Sequence, residues 1–177
     1  TDFPATLQKC LQTEEQIAQF VTAQPEYRRI WLAGGGPSAI TAQEIALKIK
    51  ETSYLQAEGM PTETLLHGPF QCVEASDLFI LIAPSGPAQS RTLELTAMIK
   101  EIGAACLLIS DSSAALPAGS VTALCEVPPA PEPVTALTCL LPLQLFTYHL
   151  ALKQGTNPDG FRLEDPRFAR AGKLIQL

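Results

Sequence analysis

Three continuous apolar runs, Arg29 to Ala33, Leu78 to Ala83 and Ala105 to Ile109, are each closed by glycine, proline or acidic and hydroxyl residues. Runs of this length without alternation read as strands buried on both faces. Stretches of helical period separate them. Leu7 to Phe20 predicts a leading helix that ends near Gln24-Pro25. A second helix follows Gly34-Gly35-Gly36-Pro37, with Ser38 as its N-cap, and runs to about Ser53. A short apolar piece at Tyr54-Leu55 then leads into a loop from Glu58 to Pro69. Gln89 to Ile102 is helical and closes at Gly103, a glycine C-cap. Asp111-Ser112-Ser113 ends the strand that follows. Val121 to Val127 is a last edge strand, because Pro128, Pro129, Pro131 and Pro133 forbid its continuation. After this proline connector, a long helix from about Leu141 to Gln154 stops at Gly155.

Buried strands alternating with helices predict an α/β fold, a three-layer αβα sandwich around a roughly five-stranded parallel sheet. With 177 residues, 46% of them hydrophobic and 17% charged, the chain suffices for one well-buried core. The net charge of −6, with 12 scattered Lys and Arg, argues against nucleic-acid binding. A small anion needs only one or two cations and a helix N-terminus, and stays compatible with that charge. Cys10, Cys72, Cys106, Cys125 and Cys139 form no CxxC pair and read as reduced, buried thiols, without metal or disulfide. Reduced thiols are those expected of a cytoplasmic protein, and Thr1-Asp2-Phe3-Pro4 lacks the basic start and apolar core of a secretory signal. Val134 to Leu152 is apolar enough to consider as a membrane span. Pro142, Gln144, Tyr148 and His149 interrupt it, and it is read as a buried core helix.

An apolar strand that ends in Gly34-Gly35-Gly36-Pro37-Ser38 and passes straight into a helix is how α/β proteins build a phosphate- or sugar-binding turn, which makes Gly35, Gly36 and Ser38 candidate substrate contacts. Along that helix Glu44, Lys48 and Glu51 share one face. By spacing alone they form an ordinary solvated salt-bridge ladder. His67, before Gly68-Pro69, reads by itself as a loop histidine capping a turn.

The run IWLAGGGPSAITAQEIALKIKETSYLQAEGMPTETLLHGP from Ile30 to Pro69 resembles the sugar isomerase (SIS) domain. It resembles in particular the second such domain in the isomerase half of glucosamine-6-phosphate synthase and of related phosphosugar isomerases and deaminases. The resemblance implies a flavodoxin-like SIS fold and a catalytic set of Glu51, His67, Lys173 and Lys48. In it, Glu51 moves a proton between C1 and C2 of an open-chain sugar phosphate, with Lys48 close by. His67 assists ring opening in the active site of a neighbouring subunit, which implies a homodimer with a shared site. TYHLALKQGTNPDGFR resembles the family's final helix and turn, and AGKLIQL its closing segment, placing Ala171 and Lys173 over the sugar. Gly172 between them receives no role, and residues 162–170 are an insertion in that pattern. No cofactor or metal is implied.

Departures accompany these matches. Thr64, with Glu63 beside it, stands where the family has a glutamate three residues before the histidine, and Gln56 where the synthase has a histidine. The family's SxSGxT phosphate loop is reduced here to Ala83-Pro84-Ser85-Gly86-Pro87-Ala88. FPATLQKCLQTEEQIAQFV resembles the linker helix before a second SIS domain. Residues 1–26 are therefore expected to be a linker and 27–177 the C-terminal half of a two-SIS protein. The expected partner is a sugar phosphate of the fructose-6-phosphate or glucosamine-6-phosphate class, and the expected activity is aldose–ketose isomerisation through an enediol. The alternatives are a non-catalytic sugar-phosphate-binding regulatory module, or a half that only completes a dimer.

Overall fold

The computed structural model describes residues 2–111, 116–117 and 119–174. Five parallel strands, β1 (Ile30–Gly34), β2 (Ala57–Pro61), β3 (Leu78–Ile82), β4 (Ala105–Ser110) and β5 (Ala123–Glu126), form one sheet in the order β2-β1-β3-β4-β5. The helices are α1 (Phe3–Leu11), α2 (Glu14–Ala23), α3 (Pro37–Ser53), α4 (Thr62–Leu66), α5 (Gln89–Ile102), α6 (Glu132–Gln154) and α7 (Pro166–Gly172). Alternate residues of the central strands face two separate cores. Ile30, Leu32, Ile80 and Ile109 pack with α2, α3 and α6 on one side. Trp31, Ala33, Phe79, Leu81 and Leu108 pack with α4 and α5 on the other. This is the three-layer αβα sandwich expected, and the order reverses between β1 and β3 because successive right-handed crossovers place α3 and α5 on opposite faces.

A buried carboxylate ties the amino ends of β1 and β3. Asp77 is fully buried and accepts from the Trp31 indole at 2.9 Å, the Glu74 amide at 3.0 Å and the Arg29 guanidinium at 3.3 Å. The same guanidinium also donates to the Cys72 carbonyl. The Arg29 guanidinium thereby holds the turn before β3 against β1 through charge-assisted hydrogen bonds, which are worth more than neutral ones.

Several elements differ from expectation. The leading helix is two helices, because the Thr13 hydroxyl donates to the Cys10 carbonyl at 2.7 Å and ends α1. Ser38 is not the N-cap of α3. Gly36 is, with φ of 55°, and Pro37 takes the first helical position, leaving Ser38 buried in the first turn. The stretch read as a loop from Glu58 to Pro69 contains β2, α4 and the start of a 3-10 turn at Pro69–Cys72. β2 is a half-exposed edge strand containing Gly59, so no apolar run announced it. Helix α6 begins at Glu132, nine residues earlier than expected. Pro133 lies in its first turn, where a missing amide costs nothing.

Four of the five cysteines are buried, and burial pushes the Cys106 and Cys139 thiols up to about 12. Cys72, expected inside, is exposed on the 3-10 turn. By length and composition α6 could cross a membrane, yet half of its most apolar window is buried inside the fold, where it packs against α1, α2 and α3. The polar stop Asp111-Ser112-Ser113 lies partly outside the described residues.

Helix α3 rides on β2 with no side chain between them at Gly59. A Cβ at Gly59 would stand 2.1 Å from the Ala42 carbonyl oxygen, a backbone atom that cannot turn aside. Gly59→Ala is therefore expected to destabilise the domain by about 2 kcal/mol or more, seen as a lowered thermal midpoint.

Candidate active site

The last two turns of α3 carry the charged face that the spacing indicated. The Lys48 ammonium lies 2.7 Å from a Glu51 carboxylate oxygen and 3.7 Å from Glu44. The hydrogen bond to Glu51, more than the charges around it, raises the Lys48 pKa above its ordinary value. Glu51 is half-buried, and it lies on the wall of two adjoining cavities. One, of about 420 Å³, is lined by Lys50, Glu51, Tyr54, Leu55, Gln56, Phe161, Arg162 and Phe168. The other, of about 210 Å³, is lined by Lys48, Glu51, Thr52, Pro158, Asp159, Gly160 and Phe161.

The C-terminal tail supplies the outer wall of both. After α6 the Thr156 hydroxyl donates to the Thr52 carbonyl at 2.6 Å and to the Ala151 carbonyl at 3.1 Å, which turns the chain across the end of α3. Tyr54 caps α3 in the left-handed region, with φ of 59°, and its hydroxyl donates to Glu164 at 3.0 Å. The Arg162 guanidinium lies over the Tyr54 and Phe168 rings. Phe161, Arg162 and Phe168 were not foreseen as site residues. Their one signal in residue order is an arginine flanked by phenylalanines, which straddles the end of the family-like TYHLALKQGTNPDGFR turn and the start of the insertion at 162–170.

The glycine turn stands at the other end of α3. Ser38 and Glu51 are thirteen residues apart, ~20 Å along a helix. Gly35, Gly36 and Ser38 thus share no site with Glu51. They face the β3–α5 loop at the carboxyl ends of β1 and β3, across a cavity of about 10 Å³, room for about one water. Both donors of Ser85 are taken. Asp111 accepts from the Ser85 amide at 2.7 Å and from its hydroxyl at 2.8 Å. Glu132 also enters, its carboxylate 3.6 Å and 3.7 Å from where Cβ atoms on Gly36 and Gly86 would stand. The Glu132 carboxylate in its lining makes this crevice a poor receptacle for phosphate.

His67 projects from the end of α4, exposed, with its ring 3.5 Å from Glu63. Arg91 holds Glu63 at 2.6 Å and, as the chief cause, keeps that carboxyl below its usual range. Because α3 and β2 run in opposite directions, His67 and Glu51 lie at opposite ends of the domain, with the length of β2, ~17 Å, between them. Ala171 and Lys173 are exposed at the end of α7, and neither lines the cavities beside Glu51. Residues 175–177 of the closing segment lie outside the described residues.

The SIS domain family profile matches residues 26–154, and the chain belongs to that family. It is 33% identical over 157 residues to the isomerizing glutamine–fructose-6-phosphate aminotransferase of Zymomonas mobilis, covering 88% of this chain and 26% of that protein. The chain thus spans about a quarter of the length of the curated relatives it matches. Among solved structures, the C-terminal domain of glucosamine-fructose-6-phosphate aminotransferase from Francisella tularensis superposes with a TM-score of 0.81 at 25% identity, over 88% of this chain and 44% of that one. Tagatose-6-phosphate ketose/aldose isomerase from Escherichia coli shares the fold, with a TM-score of 0.75 at 24% identity, over 89% and 44%. The tail that walls the Glu51 cavities begins after the matched stretch ends.

Since the Thr156 hydroxyl fastens that tail to α3, Thr156→Val is expected to cost about 1–2 kcal/mol. Faster hydrogen exchange confined to residues 157–170 would show the tail loosened while the sheet stays protected.

Proposed function

We propose that this chain is the second SIS half of a phosphosugar aldose–ketose isomerase, of the kind that also serves amino-sugar-phosphate synthesis or deamination. The observation that carries the proposal is the Glu51 carboxylate on the wall of a ligand-sized cavity, with the Lys48 ammonium 2.7 Å away. Isomerisation needs one base that takes the proton from C1 or C2 of the open-chain sugar and returns it to the other carbon. Glu51 fills that role. As the carbon acid loses its proton, electrons move onto the carbonyl oxygen, and a nearby ammonium stabilises the enediolate. Lys48, with its ammonium 2.7 Å from Glu51, is assigned that task, and Lys173 shares it from the tail.

His67 acts on ring opening in a neighbouring subunit, in keeping with its distance from Glu51 and its exposure. The active unit is then a homodimer with shared sites, residues 27–177 form the second SIS unit of each chain, and residues 1–26 lead into it. Its substrate belongs to the fructose-6-phosphate or glucosamine-6-phosphate class, and a companion SIS half is assigned the grip on the phosphate. A cytoplasmic location, with no nucleic acid, membrane or cofactor involved, accompanies this reading.

One observation favours a second reading, a non-catalytic regulatory module: the degenerate phosphate loop has lost its flanking hydroxyls, and Asp111 takes both donors of the Ser85 that remains.

Proton NMR in D2O with fructose, glucose and glucosamine 6-phosphates separates the two. Full-length protein is expected to place deuterium at C1 or C2, and Glu51→Gln to slow that exchange about a hundredfold or more. Line broadening of a sugar phosphate without exchange would replace the isomerase with the regulatory module.

A further inference from the structure

We infer that Glu63, gripped by Arg91, is the positioning residue for His67, an assignment that rests on the phosphosugar reading and extends its ring-opening step. His67 closes α4 four residues after Glu63, and that spacing sets both side chains on one helix face. The His67 Nε2 lies 3.5 Å from a Glu63 carboxylate oxygen. The backbone is held on both sides of the ring. The His67 amide donates to the Glu63 carbonyl at 3.1 Å, and Gly68 turns the chain at a φ of 148° that favours glycine.

Helix α5 fixes Glu63 from the other direction. Arg91 donates from Nε to one carboxylate oxygen at 2.6 Å and from a terminal nitrogen to the other at 3.4 Å, a forked hold. Glu94 accepts from the remaining terminal nitrogen at 2.6 Å. The neighbours of this pair lock the two helices together, because the buried hydroxyls of Thr62 and Thr92 share a hydrogen bond of 2.9 Å. Thr62 precedes Glu63 and Thr92 follows Arg91, so the buried contact brings the two charges face to face. The carboxylate that His67 meets is therefore preorganised. The Arg91 hydrogen bond, as the chief cause, also keeps its carboxyl below the usual range and so ionised at neutral pH.

Opening a sugar ring needs this arrangement. The anomeric hydroxyl loses its proton, its O–H electrons become the second bond of the carbonyl, the bond from the anomeric carbon to the ring oxygen breaks, and that oxygen takes a proton. With its Nε2–H directed at Glu63, a neutral imidazole presents an unprotonated Nδ1, which accepts the anomeric proton and returns it to the ring oxygen. Between the two transfers the ring is an imidazolium, and the carboxylate against its far nitrogen stabilises it. Thr64 stands where the family has its glutamate, and Glu63, one residue earlier, is the carboxylate that faces the ring. Side chains as exposed as Glu63, His67 and Arg91 add little to stability through their ion pairs, so variants there keep the fold.

Exchange NMR of full-length protein with labelled glucose 6-phosphate reads ring opening as catalysed exchange between the two anomers, while deuterium uptake reads the later proton transfer between carbons. Glu63→Ala is expected to slow anomer exchange about tenfold to a hundredfold. It is also expected to turn the His67 ring from a single tautomer, protonated on Nε2, into a mixture, read by nitrogen NMR of the imidazole. Glu63→Gln, whose amide oxygen still accepts, recovers part of both, and Arg91→Met gives a smaller loss. Glu101→Gln removes a like charge from the exposed far end of α5 and changes nothing. Glu51→Gln slows deuterium uptake while the rings still open.

Unchanged anomer exchange or an unchanged tautomer in Glu63→Ala, or an equal loss in Glu63→Ala and Glu101→Gln, would overturn the assignment. If His67→Ala still abolishes anomer exchange in that case, ring opening by His67 survives without Glu63. A wild type that takes up deuterium but opens rings no slower in His67→Ala removes the His67 and Glu63 roles and leaves Glu51 as base. A wild type that neither opens rings nor takes up deuterium removes the isomerase reading as well.

Discussion

The packing of α3 directly on the backbone of β2 is the constraint on which the rest of this domain depends. At Gly59 the strand meets the Ala42 carbonyl with no side chain between them, an approach that a Cβ on residue 59 would block. That contact fixes the height and rotation of α3. Ile45, Ala46 and Ile49 then face the core, and Glu44, Lys48 and Glu51 are turned outward together. It also fixes where α3 must end, and Tyr54 makes the tight left-handed turn that carries the chain into β2. The tail docks on that turn. Moving α3 outward by the thickness of one methyl group would shift the carboxylate of Glu51, the Tyr54 ring and the wall that depends on it.

The two ends of this helix have opposite characters. At the amino end, the glycine turn and the loop after β3 look like an anion cradle by their backbone pattern, but Asp111 already occupies the donors of Ser85 and Glu132 lies across the opening. The crevice joins the carboxyl ends of β1 and β3 to the start of α6. At the carboxyl end, the charges are half-exposed, the cavities open, and the walls come from a segment of the chain that no strand depends on. A site placed there can change its lining without disturbing the sheet, which is the usual division between scaffold and function.

How much of this could be read from residue order varied with physical cause. The strands β1, β3 and β4 were legible because both faces are buried, leaving uninterrupted apolar runs, and α5 was legible because Gly103 closes it. The edge strand β2 was not, since Gly59 and Pro61 have low strand propensity and the strand is held by its ladder to β1 and its contact with α3. The start of α6 was hidden by prolines that are tolerated in a first turn. Glu51 and Lys48 emerged through a family resemblance, because their spacing alone is that of any solvated helix face. Arg162 and Phe168 could not emerge from order alone. Their partnership with Tyr54 spans more than a hundred residues and exists only once the tail has folded back.

The central claim is that a sugar phosphate meets this domain at the carboxyl end of α3 and leaves the glycine turn untouched. Backbone amide NMR of isotope-labelled protein, titrated with fructose 6-phosphate, tests it most directly. The account predicts resonance shifts grouped from Lys48 to Gln56 and from Phe161 to Phe168, with Gly34, Gly35, Gly36 and Ser85 unmoved. Shifts centred on the glycine turn and Ser85, with the residues around Glu51 silent, would contradict it.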